Sequence, residues 1–264
     1  MYLSSIHLYP VKSGAAFDAG TAEVEPRGLR HDRRWMAVDG AGRFLTGRKL
    51  PRLTLLRARP DPDGIVLDGP GMSPLRVPRP VSGETLRVGV WKDEVAARAA
   101  GAVADAWLSG FLGQPARLVH MDSAAERPIV HRGALPGDEV SFADSMPVLL
   151  VSRAALDGLN ARLSRPVSML RFRPNLVVDG VPAHAEDGWH RIRVGDVEFD
   201  IAKPCIRCVF TTVDPDRGER DADGEPLRTL LDYRRGDKGA SFGQLLIPRA
   251  TGTIHTTDAV TVLA

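Results

Sequence analysis

Short apolar runs, each closed by Gly, Pro or Asp, constrain the fold of this chain more than any other feature. Residues 2–9 (YLSSIHLY), 34–38 (RWMAV), 53–58 (LTLLRA), 64–67 (GIVL) and 85–90 (TLRVGV) have the length and composition of strands. Between them stand Asp39-Gly40, Pro60-Asp61-Pro62-Asp63-Gly64 and Asp68-Gly69-Pro70-Gly71, which read as turns. The last third repeats the pattern at 190–194, 197–202, 207–213, 242–247 and 258–263, with Gly195-Asp196 as a hairpin turn. Three segments read as helix. Residues 102–113 place Val103, Trp107 and Phe111 four apart, with Gly113 as the stop. Residues 152–163 place Leu156, Leu159 and Leu163 on one face behind Ser152 as N-cap. Residues 226–234 start at Pro226, with Leu227, Leu230 and Leu231 inward. Many strands and few helices predict a mostly β, α+β fold of barrels or sandwiches, not a doubly wound sheet. The phosphate-loop and dinucleotide-binding fingerprints are absent.

Length and charge narrow the function classes. At 264 residues the chain suits two small domains, with a boundary near 115–120. Its 35 Lys and Arg against 33 Asp and Glu leave a net charge of +2, without the basic run that duplex DNA demands, so no nucleic-acid partner is expected. No apolar run approaches the roughly 18–20 residues of a membrane helix, and no signal or transit peptide is legible, so a cytoplasmic protein without a membrane partner is expected. Two cysteines, Cys205 and Cys208, exclude a disulfide scaffold and are too few for a cysteine-held iron–sulfur cluster.

The most informative stretch is 203–218, KPCIRCVFTTVDPDRG. A bare C-x-x-C fits half a zinc site, a redox pair or two inert buried thiols. A second Cys/His pair is missing for the first, and the apolar residues after Cys208 favour extended chain over the helix the second requires. Thr211, Thr212 and Asp214 place polar side chains beside a thiol in an apolar strand, where burial costs free energy unless a ligand pairs with them. A soft thiolate suits a metal of mixed ligation. Elsewhere, Lys12 and Ser13 end a strand before Gly14, and residues 30–35 (RHDRRW) are strongly basic, as an edge-guarding charge cluster is. In a strand, Arg171 and Arg173 face the same side and call for an anion between them.

The ordered set YPVKS, DRRW, FADSMPVLLVS, FRPN, AEDGW, CIRCVFTTVDPDRG and FGQ resembles the MOSC-domain family. Within it, the chain looks like the two-part proteins with an N-terminal β-barrel region, which include the mitochondrial amidoxime-reducing components and YcbX-type molybdenum proteins. The likeness runs from about Tyr9 to the last strand. It implies a MOSC β-barrel (119–264) behind a β-rich MOSC N-terminal domain (1–118), with the first strand also able to pair with the MOSC barrel. It implies a molybdenum cofactor, one molybdopterin whose metal binds one protein cysteine. The matching ligand is the cysteine directly before the TTVDP run, Cys208; Cys205 is expected to be structural or dispensable. Lys12, Ser13 and Arg33 match positions around the pterin and its phosphate. Ser152, Arg173, Asn175, Thr211 and Thr212 match further cofactor contacts, and Asp214 lies in the same motif near the metal, in a catalytic role. A family-level association with pyridoxal phosphate accompanies the resemblance.

The activity implied is reduction of N-hydroxylated or N-oxygenated small molecules, hydroxylamines and amidoximes, by a molybdenum-dependent oxidoreductase. The alternative is a cofactor carrier or sulfur-transfer module without turnover. The chain ends at Ala264 with no four-cysteine ferredoxin domain, so electrons are expected from a separate donor of ferredoxin, flavodoxin or cytochrome type with its reductase. Arg171 stands where some relatives have a smaller polar residue.

Overall fold

The structure is a computed structural model that describes residues 1–123 and 125–264. It is mostly β, with three α-helices among the described residues. Its largest sheet has nine strands in the spatial order 17–19, 2–8, 176–179, 148–152, 239–248, 197–206, 191–194, 260–262, with 235–236 hairpinned onto 239–248. All neighbours are antiparallel except Val148–Ser152 with Leu176–Asp179, whose crossover carries helix α2 (Arg153–Asn160). The strand Tyr2–Leu8 pairs with Leu176–Asp179, so the first residues of the chain build a sheet whose other main strands begin at 148. A register shift between Leu3 and Ser5 lets Leu3, Ile6 and Leu8 face one core despite their uneven spacing. That core includes Val148, Leu150, Leu176, Val178, Phe199 and Leu246.

A four-stranded sheet orders 35–38, 117–120, 93–99 and 85–90, and a three-stranded meander joins 57–61, 64–68 and 75–78. The meander alternates as sequence predicts: Ile65 and Leu67 are buried beneath helix α1 (Ala102–Leu112). Gly113 ends α1 in the left-handed conformation (φ 68°), as expected of a glycine stop. The buried face of α1 is Ala104, Leu108 and Phe111 rather than Val103, Trp107 and Phe111. Trp107 lies half-buried, stacked on Phe111 with Nε1 donating to the Ser73 carbonyl, and Val103 is exposed. Of residues 53–58, expected as a strand, only 57–58 belong to one, Arg57–Asp61, and a 3-10 turn spans Pro51–Leu55. Pro51 opens the turn and the i, i+3 pair Leu53 and Leu56 fills the core.

α2 begins at Ser152, whose Oγ accepts from the Ala155 amide, and buries Leu156 and Leu159 against Phe172, Phe242 and Leu230. Leu230 comes from α3 (Leu227–Tyr233). Phe172 and Phe242 pack with ring centroids 4.2 Å apart. This apolar layer stands directly behind the segments that carry Arg171, Arg173 and Cys205.

His120 closes the strand Arg117–His120, buried against Trp35 at 4.6 Å between ring centroids. Burial, with Arg34 and Arg79 adding repulsion, holds its imidazole at about 3. The unfolded chain therefore binds a proton near pH 6.5 that the folded chain refuses until about pH 3. Stability falls as the pH drops through that window, by up to about 1.4 kcal/mol per unit. Urea unfolding at pH 7 and pH 4 is expected to show this slope in the wild type and a shallower one in His120→Leu.

Candidate functional site

The strand Val197–Ile206 runs toward solvent and turns at Cys208 into a 3-10 turn over Val209–Thr212. The extended 207–213 segment expected from sequence is thus a tight turn. The Cys208 carbonyl accepts from the Thr211 amide and hydroxyl, both at 3.0 Å, and the Val209 carbonyl accepts from the Thr212 hydroxyl at 2.7 Å. The two threonines satisfy themselves locally, so their burial does not by itself call for a ligand. Phe210 fits against Gly47, where a Cβ would collide with its ring, and this close approach brings the loop with Thr46 and Arg48 up to the cysteine turn.

A cavity of about 620 Å³ opens in front of that turn. Its walls carry Lys12, Ser13, Arg33, Arg173, Asn175, Thr211 and both cysteines, which lie up to about two hundred residues apart in the chain. Three other expected residues do not line it. Ser152 caps α2, and its amide donates to Glu186 Oε1. Thr212 faces its own turn. Asp214 lies in a smaller cavity of about 280 Å³ on the far side of Arg171. There it accepts from the amides of Asp216 (2.9 Å) and Arg217 (3.1 Å) and from Arg171 Nη2 (3.0 Å). Burial raises the Asp214 carboxyl, but these amides with Arg171 and Arg217 outweigh it and hold it below the usual carboxylate range.

Arg171 and Arg173 also do not face one side of a strand. Met169–Arg171 is a 3-10 turn and Arg173 is left-handed (φ 56°), which swings the two guanidiniums apart. Arg171 pairs with Asp214 and Asp221 (2.7 Å to the latter) and donates to the Thr212 carbonyl. It thereby pins the cysteine turn from behind. Arg173 Nη1 donates to the Gly14 carbonyl at 2.6 Å, while its buried Nη2 has no partner among the described residues. Burial, then the neighbouring Arg33, lowers the Arg173 guanidinium to about 10. Ser13, Arg33 and Arg173 all hold positive φ without being glycine, so backbone strain gathers on this wall.

A polar framework holds the cations in place. Arg33 Nη1 donates to Asp32 Oδ2 (2.6 Å) and Asn175 Oδ1 (2.9 Å), and Nη2 to the Arg173 carbonyl (3.2 Å). The guanidinium carbons of Arg33 and Arg173 lie 4.4 and 4.1 Å from the Tyr9 ring centre, where the π-face softens their mutual repulsion. Buried Lys12 donates to the Phe142 carbonyl (2.7 Å) and to Asp144 (2.5 Å). Burial lowers the Lys12 ammonium against the pull of Asp144. At the mouth, Asp144 also accepts from Trp91 Nε1 (3.1 Å), and the Arg48 guanidinium stacks over the Trp91 ring at 4.3 Å. Both cysteines are free. Arg207 Nη1 donates to Cys205 Sγ at 2.8 Å and Nη2 to the Phe172 carbonyl, while Arg207 Nε is buried without a partner among the described residues. Among the described residues no three His, Cys, Asp or Glu side chains gather into a metal cluster.

Asp32, Asp144, Arg48, Arg207, Lys203 and Lys238 are the site residues that sequence reasoning missed. Asp32 and Asp144 stood inside the quoted motifs DRRW and FADS, and Arg207 stood between the cysteines. The signal available was position within a motif, without a partner to reveal its role.

Comparison with known proteins places this geometry in a family. Residues 1–115 match the MOSC N-terminal beta barrel domain and residues 137–261 the MOSC domain. Human mitochondrial amidoxime-reducing component 1 is 34% identical over 279 residues, covering 99% of this chain and 82% of that protein. The zebrafish (Danio rerio) protein of the same name is 35% identical over 272 residues, covering 98% and 83%. The mouse (Mus musculus) one is 35% identical over 282 residues, covering 99% and 82%. Among the described residues of this chain no helix is long and apolar enough to cross a membrane. The chain therefore belongs to the family of the amidoxime-reducing components, in which a MOSC N-terminal domain precedes a MOSC domain.

Proposed function

We propose that this chain is a molybdenum cofactor-dependent reductase of N-hydroxylated compounds, with electrons delivered by a separate redox protein. The observation that carries this reading is the convergence of a free thiol, Cys208, and a buried, partner-seeking guanidinium, Arg173, on one cavity. The names of the relatives agree with it. The residues present fit the cofactor. Arg173 Nη2 is a buried donor that an anionic group satisfies, and an unpaired buried donor is costly otherwise. One soft thiolate from the protein suits a metal whose remaining ligands the cofactor carries itself. When bound, the group supplies two-electron chemistry that converts N–OH to N–H, with two protons taken up and water released.

The chain's own residues do the holding. Cys208 gives up its thiol proton on ligation. Arg173, with Arg33 and Lys12 on the same wall, would neutralise the anionic end of the cofactor. Asn175 and Asp32 orient Arg33, and Asp144 orients Lys12. Arg171, through Thr212, Asp214 and Asp221, fixes the turn on which Cys208 sits. Asp214 is thus a positioning residue in this reading. Met146, Leu149, Phe172 and Leu245 form the apolar part of the wall and keep water from the rear of the cavity.

Purified protein from a cofactor-competent host, supplied with a chemical electron donor, is expected to reduce benzamidoxime to benzamidine. Bound cofactor with no reduction of any amidoxime or hydroxylamine would replace this reading with that of a carrier.

A further inference from the structure

The charges along the cavity wall are not evenly neutralised. Lys12 is paired with Asp144, Arg33 with Asp32, and Arg171 with Asp214 and Asp221. Lys203, Arg207 and Lys238 line the same cavity, and among the described residues none of the three forms an ion pair. Lys203 comes from the strand Val197–Ile206, Arg207 follows it, and Lys238 stands on the exposed turn between the strands 235–236 and 239–248. The turn reaches the cysteine strand directly: Ile206 pairs with Ser241, and a Cβ on Gly239 would stand 3.2 Å from Ile206 Cγ2. One carboxylate, Asp237, shares this rim. Arg207 Nε is buried and unpartnered here, a donor facing no acceptor.

Resting on the reductase reading, we propose that Lys203, Arg207 and Lys238 form a subsite for an anionic substituent of the substrate. The preferred substrates are then N-hydroxylated compounds that bear a carboxylate or a phosphate away from the N–OH group. Three cations against one carboxylate beside a confined cavity attract such a group and repel a cationic one. Bound anion would also supply the acceptor that Arg207 Nε lacks, and hydrogen bonds to charged groups are the stronger kind.

The test compares benzamidoxime with its 3- and 4-carboxylate derivatives on the cofactor-loaded protein, using a chemical electron donor. At least one carboxylate is expected to exceed the parent in kcat/KM by about tenfold, the effect of one charge-assisted contact. The preference should shrink with added salt. In the double variant Lys203→Gln, Lys238→Gln the ratio is expected to fall toward one. Equilibrium dialysis reads the same subsite without turnover, as tighter retention of the carboxylate compound by the wild type than by the double variant. Equal kcat/KM and equal retention for the charged and uncharged compounds would overturn the inference while leaving the reductase reading intact. Molybdenum and pterin content that drops in the double variant would overturn it too, because the cations would then belong to the cofactor. No turnover of any compound would instead sink the reductase reading, and dialysis would still decide the subsite.

Discussion

Cys208→Ser is expected to lose amidoxime reduction to background while the protein stays folded, and Cys205→Ser is expected to keep it. The fold survives because the role of residue 208 in its turn is played by the backbone. Its carbonyl receives the Thr211 amide and hydroxyl, and neither contact involves sulfur. The loss is therefore one of metal ligation, since an alcohol is a far poorer soft ligand than a thiolate. At position 205 the sulfur accepts from Arg207 Nη1, and a serine oxygen can accept the same hydrogen bond. Thermal melting measured beside turnover separates the two effects. Equal losses in both variants would refute the assignment of Cys208 as the ligand.

Asp32→Ala is expected to cost about 3–5 kcal/mol of stability, the range for breaking a buried charge pair by removing one partner. Only 1% of Asp32 is exposed. Its Oδ1 accepts from the Tyr9 amide at 2.8 Å and its Oδ2 from Arg33 at 2.6 Å. Burial pushes its carboxyl above the ordinary range even against the pull of Arg33, so the pair is held by the surrounding fold rather than by its own attraction. Without the carboxylate, Arg33 and Arg173 meet over the Tyr9 ring with no counter-charge between them. A loss of that size is a large part of the roughly 5–15 kcal/mol that holds a typical domain together. Denaturant unfolding checks it, and Asp32→Asn, which keeps an acceptor for the Tyr9 amide, should fall between wild type and Asp32→Ala.

Much of the fold was legible where a local rule decides. Ile65 and Leu67 alternate inward, Ser152 caps a helix and Gly113 ends one, because neighbours along the chain set each of these. The misreadings lie where apolar content alone was used. Pro51–Leu55 and Val209–Thr212 are apolar enough for strands, but a proline in one and back-bonding threonines in the other close them into 3-10 turns. At the site, Lys12, Arg33, Arg173 and Cys208, singled out through their motifs, line one cavity. Their partners were not legible. Lys12 and Asp144 are 132 residues apart, and Arg33 and Asn175 are 142 apart. No periodicity records such a pairing. The divergence of Arg171 from Arg173 was equally hidden, since it follows from one left-handed residue that is not glycine.

The most direct measurement is the molybdenum and pterin content of the chain purified from a cofactor-competent host. The account predicts close to one of each per chain, and a fall of about tenfold or more in Arg173→Ala at limiting cofactor, because a charged acceptor loses its buried donor. Wild-type protein that carries neither molybdenum nor pterin under those conditions would contradict it.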